Sequence, residues 1–205
     1  MYFVFGLTVL LGFYLTLIGG WIILILGIAA IVSAIAYTGG PYPLGYHGFG
    51  DIFVFIFFGL GATAGTYYLQ TGVVVPSVWW MAAALGCLIV SILVVNNLRD
   101  IENDRKVKKM TMAVRLGVSG SINEYYVLVT MAYCIPVILW AIEKSSPWGI
   151  LTCLSFPYAL YWMVFIKRHS GKALNKALAG TGKVVLIYAL LYALGMVFSV
   201  FSKTP

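Results

Sequence analysis

Asn96, Asp100 and Asp104 stand at intervals of four residues in the run NNLRDIENDR. On a helix that spacing stacks three oxygen-bearing side chains on one face, one turn apart. Two carboxylates left alone would repel each other. They suit a hard cation such as Mg²⁺, which takes one or two carboxylates and fills its other positions with substrate phosphate oxygens. Arg99, Arg105, Lys108, Lys109 and Arg115 lie in the same stretch, and their charge suits the phosphates themselves. Acids that hold a metal, interleaved with bases that hold phosphate, describe a diphosphate site. Spacing alone also fits a solvated mixed-charge connection, because DxxxD by itself is a weak signal.

The element that must position this cluster is a helix leaving a membrane. Of 205 residues, 62% are hydrophobic and 9% charged, against about 25% charged in a soluble domain. Mean hydropathy is +0.98. The expected fold is an all-α membrane protein, one transmembrane helical domain over 1–205. About seven spans are expected, near 2–18, 20–37, 51–70, 78–97, 123–142, 148–166 and 179–201, each of bilayer length. The runs lack the alternation of barrel strands, and open sheets cannot cross lipid. Gly19-Gly20 reads as a tight turn, and TGGPYPLGYHGFG (38–50) is too rich in Gly and Pro for a regular helix.

Thirteen Lys and Arg face six acids. Two blocks hold nearly all the cations: Arg99, Arg105, Lys106, Lys108, Lys109 and Arg115, then Lys167, Arg168, Lys172, Lys176 and Lys183. Lys144 and Lys203 remain. Seven spans put the N-terminus and the connections 38–50, 98–122 and 167–178 on the side with both blocks. The positive-inside rule makes that side cytoplasmic and the C-terminus external. Nucleic acid is excluded as a partner, because the basic blocks are short connections between spans. The chain opens without a basic n-region or a small-residue cleavage site, so its first apolar run reads as a span. Cys87, Cys134 and Cys153 lie in apolar runs without a metal or disulfide pattern. His169 reads as topological. Asp51 and Glu124, each near a span start, read as helix-end residues, Asp51 as an N-cap.

NNLRDIENDRKVKKMTMAVRLG (96–117) resembles the second aspartate-rich motif of the UbiA superfamily of intramembrane prenyltransferases. Within it, the chain is most similar to the 1,4-dihydroxy-2-naphthoate prenyltransferases of menaquinone synthesis. YTGGPYPLGYHGFGDIFVFIFFG (37–59), GTYYLQTG (65–72) and LNKALAGTGKVVL (174–186) resemble the same group, in order. The resemblance implies a bundle around a membrane cavity with a cytoplasmic polar cap, and Mg²⁺-dependent transfer of a polyprenyl group from its diphosphate to an aromatic quinone precursor. Asp100 and Asp104 match the family's metal-binding acids. Asn96, Arg99, Arg105 and Lys109 occupy positions suited to diphosphate contact. Tyr37 and His47 are candidates for the acceptor, although His47 fits an interfacial hydrogen-bonding role as well.

The superfamily's first motif, an NDxxDxxxD-like run, is absent from these 205 residues. The seven spans match the last seven of a nine-helix bundle, so the chain resembles the C-terminal two-thirds of a prenyltransferase domain. The expectation is half a metal site, inactive alone, in a chain that is truncated, split from a separate chain carrying the missing motif, or a divergent homologue. Pro41 and Tyr42 stand where many relatives carry a basic residue after the tyrosine, and Val107-Lys108 where they often carry a glycine. Alternative readings are another UbiA-type prenyltransferase and a non-catalytic membrane subunit or transporter; charges gathered at span ends argue against the transporter.

Overall fold

Lipid offers no partner for a backbone N–H or C=O, so apolar runs of this length close their own hydrogen bonds as helices. The computed structural model describes residues 2–39, 42–143 and 147–202, and every regular element among them is helical. Pro41, Lys144, Lys203 and the C-terminal Pro205 lie outside the described residues. The helices are α1 (Tyr2–Thr38), α2 (Gly50–Val54), α3 (Ala62–Thr71), α4 (Pro76–Lys106), α5 (Met112–Glu143), α6 (Phe156–Arg168) and α7 (Leu174–Phe201). Phe55–Gly61 is a π-helical stretch between α2 and α3, and Pro147–Ser155 is a 3-10 stretch running into α6. Among the described residues, six continuous helical segments are long and apolar enough to cross a membrane.

The expected spans 2–18 and 20–37 both fall in α1, which breaks at Gly20 (φ 66°, ψ −157°). A straight helix of 37 residues would be about 55 Å long, and the hydrocarbon core is about 30 Å thick. The break divides α1 into two stretches of about span length, so the seventh expected span is one arm of α1. Residues past the break meet the end of the π-helical stretch and α3, where Leu26 lies close to Gly61 and Gly65.

α4 is the axis of the bundle. It packs on α5 most extensively, then on α7 and the π-helical stretch. Its buried residues include Leu88, Val94, Val95 and Leu98, and they meet Tyr125, Val129, Val184 and Tyr188 in one core. Glycine sets the closest approaches. A Cβ on Gly59 would stand 2.5 Å from the Gly86 Cα, and one on Gly180 would stand 1.9 Å from the Trp162 ring. Close backbone contact of this kind supplies the van der Waals packing on which helix association in lipid depends.

Two prolines explain local departures. Pro157 lies in the first turn of α6, where its missing N–H costs nothing; the segment expected as one span from 148 therefore begins as 3-10 helix. Pro136 lies inside α5 and cannot bond the carbonyl four residues back. That carbonyl, on Ala132, accepts the Tyr188 hydroxyl of α7 at 2.8 Å. The three cysteines are free.

Candidate functional site

α4 has 31 residues, about 46 Å of helix, so roughly its last eleven residues reach beyond a hydrocarbon core of about 30 Å. Those residues carry Asn96, Arg99, Asp100, Asp104 and Arg105. The expected connection 98–122 is therefore mostly helix. α4 runs to Lys106, a turn covers 107–111, and α5 starts at Met112 with a break at Gly117 (φ 71°). Nothing in NLRDIENDRK breaks a helix, and leaving lipid is not by itself a stop signal.

Arg99 is the hub. Its Nε donates to Asp100 Oδ1 at 2.8 Å, and its Nη2 donates to Asp100 Oδ2 and to Asn96 Oδ1 at 3.0 Å. Its Nη1 donates to Asn175 Oδ1 of α7 at 2.9 Å. This is the planar fork of a guanidinium used on both sides. Asp104 is buried, 4% exposed, and its carboxylate takes the Lys109 ammonium at 3.3 Å. The two pairs share one field, since Asp104 acts on Arg99 and Lys109 on Asp100. Arg105 is exposed and pairs with the exposed Glu102 at 3.3 Å.

The turn that carries Lys109 is fastened to a second loop. Lys109 N–H donates to Asp104 O at 2.9 Å, and Met110 N–H donates to Tyr46 O at 2.9 Å. Arg115 Nη2 donates to His47 O at 3.0 Å. Gly48 (φ 79°) lets this happen, because a Cβ there would stand 2.9 Å from Arg115 Nε. His47 Nδ1 lies 2.8 Å from Pro43 O and its ring stacks on Tyr42. Tyr37 is half-buried and lies within electrostatic reach of Asp51 and Asp104. With Asn175 on α7, three connections converge at one end of the bundle. His169 lies nearby in sequence, exposed and stacked on Phe165.

Two acids differ from expectation. Asp51 caps nothing: Phe49 is the N-cap of α2, with no side-chain cap bond, and Asp51 is 8% exposed with both carboxylate oxygens unpartnered among the described residues. Glu124 sits well inside α5 rather than at its start, within electrostatic reach of Asp51. Sequence reasoning also missed Asn175. It lies in the quoted stretch LNKALAGTGKVVL, but only the packing of α7 on α4 gives it a partner.

The donor set is hard oxygen from two aspartates one turn apart, with an amide beside them. Among the described residues no group of three or more His, Cys, Asp or Glu side chains gathers as a metal cage. Two carboxylates fit a divalent ion whose remaining ligands come from phosphate and water.

The UbiA prenyltransferase family model matches residues 1–187. The chain belongs to the UbiA prenyltransferase family. Curated relatives agree with that membership. A 1,4-dihydroxy-2-naphthoate octaprenyltransferase of Haemophilus influenzae is 38% identical over 174 residues, 83% of this chain and 56% of that protein. The protein of the same name from Mycobacterium tuberculosis is 36% identical over 198 residues, 94% of this chain and 65% of its own length. Human UbiA prenyltransferase domain-containing protein 1 is 28% identical over 173 residues, 82% of this chain and 48% of that one. The chain thus spans somewhat over half the length of the bacterial octaprenyltransferases it matches.

Proposed function

We propose that this chain carries the second aspartate-rich half of a Mg²⁺-dependent prenyl-transfer site, and that the acceptor is 1,4-dihydroxy-2-naphthoate on the route to menaquinone. The observation that carries the reading is the Asn96–Asp100–Asp104 face of α4, with Arg99 and Lys109 against its carboxylates. The acceptor assignment rests on the names of the bacterial relatives.

Asp100 and Asp104 would hold the cation. When bound, it supplies positive charge where the departing diphosphate gathers negative charge. Arg99 and Lys109 lie against the aspartates, and their charge would also serve the phosphate oxygens. Asn96 and Asn175 hold the guanidinium plane. A second acidic cluster completes the site from outside these 205 residues, in a further stretch of the same protein or in a separate chain. The convergent end faces the cytoplasm and the C-terminus faces outward; a reporter fused after Pro205 that proves cytoplasmic would overturn this orientation.

The test is equilibrium binding of a prenyl diphosphate to the purified chain in lipid nanodiscs. Binding should require Mg²⁺, vanish with EDTA and fall at least about 10-fold in Asp100→Ala, the loss of one charged contact. Binding indifferent to both metal and Asp100 sinks the reading.

A further inference from the structure

Asp51 belongs to none of the interactions that hold the aspartate cluster together. It stands in the first turn of α2 and is more than nine-tenths buried, and among the described residues neither carboxylate oxygen has a partner beyond a weak approach of its own backbone N–H. Burying a carboxylate without a hydrogen-bond donor is among the costliest arrangements a protein can adopt. The position therefore calls for a donor, and no side chain among the described residues makes that bond, although the Tyr37 hydroxyl lies against the adjoining Gly50.

The surroundings narrow what that donor is. α2 is pressed against its neighbours, because a Cβ on Gly50 would stand 3.0 Å from the Tyr37 hydroxyl and 3.3 Å from Leu93. Tyr37 of α1 and Glu124 of α5 lie within electrostatic reach of Asp51, and Tyr37 is also within reach of Asp104. Tyr37 thus feels both Asp51 and the aspartate face of α4. Asp51 differs from Asp100 and Asp104 in having no Arg or Lys paired to it among the described residues. Acid beside acid repels phosphate and carboxylate alike, so the ligand presents a neutral donor edge. A phenolic hydroxyl is such a donor.

Resting on the proposed prenyl transfer, we propose that Asp51 accepts a hydrogen bond from a ring hydroxyl of the aromatic acceptor. This turns the acceptor's hydroxyl edge toward α2 and leaves its own carboxylate for the cationic side of the site. A carboxylate accepting from the hydroxyl also draws electron density into the ring that attacks the prenyl carbon. Asp51 is then an acceptor-binding residue, distinct in role from the metal-binding pair on α4.

The experiment measures equilibrium binding to the intact chain in nanodiscs with three probes. They are 1,4-dihydroxy-2-naphthoate kept reduced, 2-naphthoate (which lacks the hydroxyls), and a prenyl diphosphate with Mg²⁺. The wild-type chain should prefer the dihydroxy compound by about 10-fold, the worth of one charge-assisted hydrogen bond. Asp51→Asn should reduce that preference to about 2-fold or less, with 2-naphthoate and prenyl diphosphate binding unchanged. Asp51→Glu, which keeps the charge, should retain the preference. Equal weakening of both naphthoates in Asp51→Asn, a preference that survives it, or no preference in the wild type overturns the assignment. Where Asp51→Asn does not fold, Asp51→Ser takes its place, and a preference that survives in that variant overturns the assignment. Loss of the Mg²⁺-dependent diphosphate signal alone, with the hydroxyl preference intact, counts against prenyl transfer and leaves the hydroxyl contact standing.

Discussion

Replacing Tyr188 by Phe removes one oxygen from the middle of the bundle, and the structure says what that oxygen does. Pro136 has no N–H, so the Ala132 carbonyl loses its usual helical partner. The Tyr188 hydroxyl donates to that carbonyl at 2.8 Å. Ala132 and Tyr188 are both 0% exposed, so no water substitutes. Thr152 stands beside the same hydroxyl but already donates to Gly149 O at 3.0 Å. The loss in Tyr188→Phe is therefore one hydrogen bond plus an orphaned carbonyl. Hydrogen bonds between helices in lipid average about 0.6 kcal/mol and reach about 1.7, while an unsatisfied buried acceptor costs about 1–3 kcal/mol. Tyr188→Phe should destabilise by about 1–2 kcal/mol. Pro136→Ala restores the N–H that the Ala132 carbonyl lacks, so in that background the cost of Tyr188→Phe should fall to under about 0.5 kcal/mol. Reversible unfolding in mixed micelles of the four variants closes the cycle. Equal costs in both backgrounds would refute the link between the proline and the tyrosine.

Two other substitutions probe the polar end. Arg99→Lys keeps the charge but cannot reach Asp100, Asn96 and Asn175 together. The Arg99 and Asp100 side chains are 24% and 37% exposed, so stability should fall by no more than about 1 kcal/mol. Affinity for prenyl diphosphate should fall about 10-fold or more in a titration with Mg²⁺, and wild-type affinity in this variant would show that the fork is dispensable. Lys108 holds φ 57°, a left-handed conformation that costs a side chain about 1 kcal/mol. Lys108→Gly should be neutral or stabilising by up to about 1 kcal/mol, and Lys108→Val should lose about 1–2. Thermal midpoints ranked Gly, Lys, Val from highest to lowest check this; Val above Gly contradicts it.

The turn at Lys108 marks how far the sequence could be read. Its departure from the glycine of many relatives was legible, but the positive φ that gives the departure a cost needed the backbone. The helical class and the approximate spans followed from hydropathy and length, because a bilayer imposes both through the backbone's need for partners. The break at Gly20 was legible for the same reason, since glycine is the residue that takes φ 66° freely. The end of α4 was not. Charge marked where the chain leaves lipid, and that boundary is not where its hydrogen-bond ladder stops.

That Asn96, Asp100 and Asp104 share a helix face could be read from the chain alone, because a period of 3.6 residues is local. So could the family, through motifs that lie in order along the chain. Which cation holds which acid, that Asn175 of α7 braces Arg99, and that Tyr188 satisfies the carbonyl left open by Pro136 all required the folded bundle. So did the isolation of Asp51, a buried carboxylate with no side-chain partner among the described residues. Those facts depend on side chains from distant parts of the chain meeting across helix contacts. Their directions are fixed by close packing at glycines such as Gly59 and Gly86, which no local pattern specifies.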